Sequence, residues 1–430
     1  MRRRQNNSTQ FEPIKKLFRP KIIATALTVA SLCTVGQSSA TELEVTHWWT
    51  SGGEAAAVKV LADTFNAGGD SWVDGAIAGS ADSALPVIIS RIIGGNPMHA
   101  TQLNHGRQAE ELVEAGLMLD LTELAIKENW ADVVRPSSLL DSCTQEGKIY
   151  CVPINIHSFQ WMWVSLNAYK KAGIDAPNDW NEFVASAPKL REAGITPLAV
   201  GAQTWQTNAM FGVIRLGLGG MDLFKKIDVE RDIKVVRGPE MQAIWTAFGD
   251  ARNLDDDNNS ILNWNDATRQ VINGTHAAQI MGDWAQGEFQ IAGQTAGKEY
   301  DCLPGLGLAP VLDTGGDAFY FPKQDDPAKT AAQLRMASMM ISKAVQVEFN
   351  LKKGSLPVRS DVELKDANEC MKKGLAILKT PDNIVQAGTQ LFDADTTGQM
   401  NDLLAEFWTN PKMSVEDAYD AWTNIIMDAQ

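Results

Sequence analysis

Residues 47–54 read HWWTSGGE: two adjacent indoles, two hydroxyls, a Gly-Gly pair and a carboxylate within eight positions. These residue types suit a sugar, whose ring offers apolar C–H faces to aromatic side chains and a belt of hydroxyls to polar ones. A strand that breaks at Gly52-Gly53 and opens a helix also leaves free backbone N–H groups at the turn. The competing use of Trp48 and Trp49 is core packing, the common fate of large apolar rings. Trp outnumbers Tyr by 13 to 5 in the chain, a skew that favours ring stacking on a ligand.

The elements that must position this stretch read as α/β. Leu43 and Val45 mark a short strand at 43–47, and Ala55, Val58, Leu61, Ala62 and Phe65 repeat with a helical period over 54–66. A strand at 72–77 and a helix at 83–93 follow, the latter stopped by Gly94-Gly95-Asn96-Pro97 before a strand near 100–103. A helix is expected over 108–116, ended by Gly116. The run YCVPINIHSFQWMWVSLN at 150–167 reads as strands buried on both faces, passing from one lobe into another. Helices are expected at 167–173 and 180–193, the second opened by Asp179 with Glu182 three residues on, the spacing of a capping box. ITPLAVGAQTWQT then reads as a strand ending in a loop that carries Trp205. DDDNN at 255–259 reads as a solvated acidic loop, and GLGLAPVLDTGGDAFYFPK looks like a crossing back to the first lobe. No repeat or low-complexity segment interrupts this order.

The first forty residues read as an export signal. Arg2, Arg3, Arg4, Lys15, Lys16, Arg19 and Lys21 precede an apolar stretch at 22–36 and the small residues Ser38-Ser39-Ala40, so cleavage is expected after Ala40. The apolar stretch falls short of the roughly 20 residues a spanning helix needs. Without that segment 31 basic residues face 52 acidic ones, a net charge of −21, which excludes nucleic acid and anionic membrane as natural partners. The remaining 390 residues exceed the length at which single cores stop growing, so two lobes are expected. Cys143, Cys151, Cys302 and Cys370 would meet an oxidising compartment. Cys143 and Cys151 bracket a hairpin-like QEGKIY and are paired here, leaving Cys302 with Cys370, although four cysteines allow three connectivities. No CxxC and no paired His spacing occurs, so neither a metal site nor a cofactor is expected.

Taken in order, these segments closely resemble the family 1 extracellular solute-binding proteins of ABC importers. SLNAYKKAGIDAPNDWNEFVASAPKLREAGITPLAVG at 165–201 and NGTHAAQIMGDWAQGEF at 273–289 carry the resemblance, and HWWTSGGE, VPINIHSFQW and KKGSLPVR narrow it to the glucose- and aldose-binding branch. It implies an α/β, two-lobed periplasmic binding protein fold of type II with a three-segment hinge. The lobes would be 41–153 and 309–357 for the first, 154–308 and 358–430 for the second. It further implies a periplasmic, monomeric, non-enzymatic protein that closes on a monosaccharide and delivers it to membrane permease subunits. The family pattern places Trp48 and Trp49 as stacking face and rim, and Glu54 as a hydroxyl acceptor. Asn104, His105 and His157 become polar groups near the cleft, and Trp205 stacks on the opposite sugar face with Gln206 beside it. Trp284 is a pocket wall, Asp317 a further carboxylate and Lys353 a donor. The branch also has a late histidine, whereas no His follows His276 here and Phe392, Asp393 or Asp395 stands in that neighbourhood. Two other readings compete: an oligosaccharide or polyol binder of the same fold, and a secreted glycoside hydrolase, which needs two carboxylates facing one bond.

Overall fold

The computed structural model describes residues 40–105, 107–255, 263–385, 392 and 394–429. The expected export segment (save Ala40), most of the acidic loop and Asp393 lie outside the described residues. In chain order the strands begin with β1 (Glu42–His47), β2 (Ser71–Ala76), β3 (Ala100–Asn104), β4 (Thr144–Gln145), β5 (Lys148–Ile149) and β6 (Cys151–Pro153). There follow β7 (Trp161–Ser165), β8 (Thr196–Leu198), β9 (His276–Ile280), β10 (Tyr300–Pro304), β11 (Leu312–Asp313), β12 (Asp317–Tyr320) and β13 (Ile384–Val385). The fold is α/β with two main sheets, ordered β2-β1-β3-β12-β6 and β10-β7-β9-β8.

In the first sheet β1 runs parallel to β2 and β3, with Leu43 beside Trp72. β12 returns antiparallel between β3 and β6, which sets Asp317 beside Asn104 and Phe319 beside Val152. In the second sheet β7 is antiparallel to both neighbours, and β8 joins β9 in parallel. The chain thus leaves the first sheet after β6, builds the second, and comes back through 305–316 to β12. The buried apolar residues gather in two large clusters, the first of which runs from β1 and β12 to Trp161 and Trp163 of β7. Trp49, Phe319, Phe321 and Phe349 belong to one, and Phe183, Phe211, Trp245 and Phe248 to the other.

Helix α1 (Gly52–Ala67) opens two residues earlier than its apolar period suggests, because Ser51 and Glu54 form a capping box across its first turn. At residue 179 the same spacing works differently. Asp179 accepts the Glu182 N–H at 2.9 Å, but the Glu182 carboxylate reaches back to the Asn178 N–H at 2.7 Å, one residue before the cap. The helix expected over 108–116 is a 3-10 turn at Arg107–Ala109 followed by Glu110–Glu114, and the left-handed Gly116 (φ 70°) reverses the chain after it. The run at 150–167 is not continuous strand either: between β6 and β7, residues 154–160 are irregular. Asn155, His157 and Ser158 turn their side chains to Asp317 and Asp313 there, so the chain is pinned by side chains as well as by the isolated backbone bridge of Ile156 with Leu356. Disulfides join Cys143 to Cys151 and Cys302 to Cys370, with Cα separations of 5.0 and 6.0 Å. The first ties the β4–β5 hairpin to the edge strand β6; the second ties β10 to the helix Glu369–Ile377.

Candidate functional site

A cavity of about 710 Å³ is walled by Asn104 of β3 and Asp317 of β12, by the crossings between the sheets, and by loops and helices that follow the strands of each sheet. Its polar focus is Asp317 at the start of β12, a side chain only 2% exposed. One carboxylate oxygen accepts from Gln102 at 2.7 Å; the other accepts from Asn155 at 2.9 Å and faces His157 Nδ1 at 3.2 Å. Asn155 closes the loop by accepting the Asp317 backbone N–H. Burial opposes ionisation of Asp317, but the charges of His157 and Lys353 and these hydrogen bonds outweigh it, holding the carboxyl well below the usual range. It is therefore a fixed negative charge. Gln102 also accepts the Trp48 N–H at 3.0 Å, which ties the HWW segment to the same network.

Lys353, the last residue of the helix Lys343–Lys353, is 2% exposed and donates to Glu54 at 2.8 Å. Its ammonium also lies 5.3 Å from the Trp49 ring centroid and 5.9 Å from that of Trp284. Further along, Asp313 accepts from the Ser158 hydroxyl and from the Phe159 N–H. Ser158 in turn gives its own N–H to Asp283 at 3.1 Å. Burial raises the carboxyls of both Asp283 and Asp313, so Ser158 bridges two acids held toward their neutral form. Deeper along the cavity Arg215 pairs with Asp228 at 2.6 Å.

The second wall is made of rings. Trp284 meets Phe159 edge-on at 4.8 Å and His157 at 4.9 Å, with Trp205 and Trp264 within 6.4 Å. The Trp284 ring lies directly over Gly282, where a Cβ would stand 2.1 Å from it, so only glycine leaves the indole this position. The indole N–H of Trp205 is buried and without a partner among the described residues; buried donors normally find one, so it is an open valence in the wall.

Nine of the eleven site candidates line this cavity: Trp48, Trp49, Glu54, Asn104, His157, Trp205, Trp284, Asp317 and Lys353. Several differ in role from the sequence expectation. Trp49 is 2% exposed and packs on Phe319 and Phe349, so it backs the wall as core. Glu54 spends its carboxylate on Lys353 and on the Ser51 N–H. The N–H groups expected to be free at the Gly-Gly turn are not: Gly53 donates to Glu288 at 2.7 Å, Glu54 to the Ser51 hydroxyl and Ala55 to the Ser51 carbonyl. Trp205 sits in the first turn of the helix Thr204–Phe224, not in a loop at a strand end.

His105 and Gln206 do not reach the cavity. His105 is 1% exposed behind Gly316, and desolvation pushes its imidazole down to about 4. Gln206 folds its amide onto Gly201, leaving no room there for a Cβ, and donates to Gln203. Its neighbour Gln203 lines the wall instead, with its carbonyl held by Gln206 and by the Trp264 N–H and its amide given to Ser80 at 3.3 Å. Sequence reasoning also missed Gln102, Asn155, Phe159, Trp264 and Asp313. VPINIHSFQW carried a signal for Asn155, since polar residues inside an apolar run mark groups that a buried network must satisfy. In the late segment Phe392 lines the cavity, whereas Asp395 is exposed in the first turn of the helix Ala394–Thr409.

The model of the family "Bacterial extracellular solute-binding protein" matches residues 49–337. A "Probable sugar-binding periplasmic protein" of Rhizobium meliloti (strain 1021) is 34% identical over 406 residues, covering 94% of each chain. Among solved structures, a chitin oligosaccharide binding protein superimposes with a TM-score of 0.74 at 16% identity, over 91% of this chain and 99% of its own. An ABC transporter solute-binding protein of Thermotoga lettingae TMO bound with α-D-tagatose gives 0.73 at 18% identity, over 91% and 100%. Both share the two-lobed fold.

Proposed function

Because the chain belongs to the bacterial extracellular solute-binding protein family, we propose that it captures a sugar between its two lobes and hands it to the permease of an ABC importer. The observation that carries this reading is the pairing of walls: fixed polar groups around Asp317 face a cluster of indole rings across one cavity. That pairing suits a ring with hydroxyls on its edge and C–H groups on its faces. The ligand of this reading is a monosaccharide aldose, glucose or a relative, with its hydroxyls on Asn104, His157 and Asp317 and its face toward Trp205 or Trp284.

A second reading, an oligosaccharide, is favoured by one observation. The cavity continues past Trp205 to Arg215, Phe392 and Met400, and its volume lies in the upper part of the range of roughly 300–1,000 Å³ typical of sites for larger ligands. Hydrolysis is disfavoured: Glu54, Asp228, Asp313 and Asp317 of the wall are each held by protein donors, and among the described lining carboxylates only Asp82 stands outside such a pairing. The basic N-terminus and the two disulfides support export to the periplasm with cleavage after Ala40. Residues 151–155, 308–316 and 355–359 are the expected hinge crossings.

Mass spectrometry of ligand released by denaturing the freshly purified protein tests the reading, followed by thermal melts against that sugar and a panel of aldoses. Ligand that binds only the folded chain raises the melting midpoint by mass action. A chain that releases no sugar and shifts with no hexose, pentose or oligosaccharide at millimolar concentration is not a sugar receptor.

A further inference from the structure

His105 has no role in the sugar site, and its burial is expensive. Beyond a marginal contact with the Asp317 backbone, neither ring nitrogen makes a hydrogen bond of good geometry among the described residues, and a poorly met buried polar group is destabilising. What stands beside it is the Cys143–Cys151 disulfide. A ring nitrogen of His105 and the two sulfurs all lie within 4.8 Å of one another. All three residues are buried, at 1%, 3% and 0% exposure. On the other side, Gly316 leaves open the space next to the ring: a Cβ there would stand 2.8 Å from Cδ2 and 3.0 Å from Nε2.

We propose that His105, Cys143 and Cys151 form a three-ligand site for zinc or a metal of similar softness when the disulfide is reduced, and that the disulfide is the oxidised, metal-free form of the same centre. A dithiol supplies two electrons and two protons, breaking the S–S bond to give two Cys thiols and its own cyclic disulfide. Zinc binding then displaces both thiol protons to solvent, while neutral His105 contributes a ring nitrogen lone pair. In a tetrahedral site with Zn–S near 2.3 Å and Zn–N near 2.0–2.1 Å, ligand atoms stand somewhat under 4 Å apart, so an ångström or so of side-chain movement suffices. The motif spacing of the sequence gives no hint of this, because the histidine comes from the end of β3 and the cysteines from either side of the β4–β5 hairpin.

Asp301, Cys302 and Cys370 also gather within ligating distance, but Asp301 is already paired with Lys373 at 2.8 Å, and that trio has no imidazole. Its two cysteines are therefore replaced in the test, so that they contribute no thiolate.

The test uses the mature chain with Cys302→Ser and Cys370→Ser, reduced with a phosphine and titrated with Co²⁺ and then Zn²⁺ under argon, with far-UV circular dichroism followed in parallel. The expected result is one equivalent bound, with a thiolate-to-cobalt charge-transfer band that zinc displaces. His105→Gln should weaken Zn²⁺ binding by ten-fold or more with the secondary structure retained. Absence of the charge-transfer band, or His105→Gln binding zinc as tightly as its parent, overturns the proposal. If reduction unfolds the chain, zinc must restore its dichroism; failure to do so overturns it equally.

Discussion

The two walls of the cavity are built on opposite principles. Around β3 and β12 polar groups are held by other polar groups: Gln102, Asn155 and His157 grip Asp317, and Lys353 grips Glu54. On the segments that follow β8 and β9 rings are held by rings, with Trp284 fixed by Phe159 of the crossing, by Trp205 and Trp264 and by the missing side chain at Gly282. A buried charge loses its compensation at once when one partner is removed, whereas packed rings lose contact area by degrees. The first wall should therefore fail abruptly and be repairable only in pairs. The second should fail gradually.

The sharpest break of that contrast is Lys353→Met, which leaves the Glu54 carboxylate buried without its cation. Stability should fall by about 3–5 kcal/mol, and adding Glu54→Gln should restore most of it. Urea unfolding measures both; a single variant as stable as the native chain would remove the ion pair from the account. On the ring wall, Gly282→Ala should displace Trp284 and cost about 1–3 kcal/mol, the usual range for overpacking. Near-UV dichroism should show the indole disturbed, and an unchanged spectrum would mean that the ring is not confined.

Titration separates the walls again. The imidazole of His105 is pushed down to about 4 by desolvation and by the charge of His157, below its value of roughly 6.5 in the unfolded chain. Between those values the unfolded state binds the extra proton, so this contribution to stability is full above pH ~6.5 and is lost as pH falls toward 4. Asp317, also depressed, loses its share only below the ordinary carboxylate range. Asp283, raised by burial, acts with the opposite sign, favouring the folded chain at low pH and losing that share as pH rises through its shifted value. His105→Gln isolates the first: its stability should depend on pH less steeply than the native chain's over this window, by up to one proton in urea unfolding. Parallel curves would contradict the assignment. The smallest expected effect is Ser51→Ala, about 1 kcal/mol from loss of the α1 cap, with ligand binding preserved.

How much of this could be read from the chain follows the same division. Helix periods, the Asp179 cap and the strands around residues 43–47 and 100–103 were legible, because local patterns of apolar spacing and capping residues determine them. The indoles were legible as a class, since Trp in short polar settings stands out. Partnership was not. Glu54 reads as a free acceptor until Lys353 arrives from 299 positions away, and Gln206 reads as the ligand glutamine although it only holds Gln203 in place. His105 and His157 look alike in sequence; one faces the cavity and the other a disulfide, and only the register of β12 against β3 and the path of the crossing at 154–160 decide which.

The central claim is that one sugar is gripped by both walls at once, and calorimetric titration of the native chain beside Trp205→Ala, with the sugar released from the denatured protein, tests it most directly. Trp205 packs on the ring wall without belonging to either ion pair, so the variant should fold normally and bind about 2–4 kcal/mol more weakly, the range of a central aromatic contact. Trp205→Ala binding that sugar with native affinity would contradict the two-wall account.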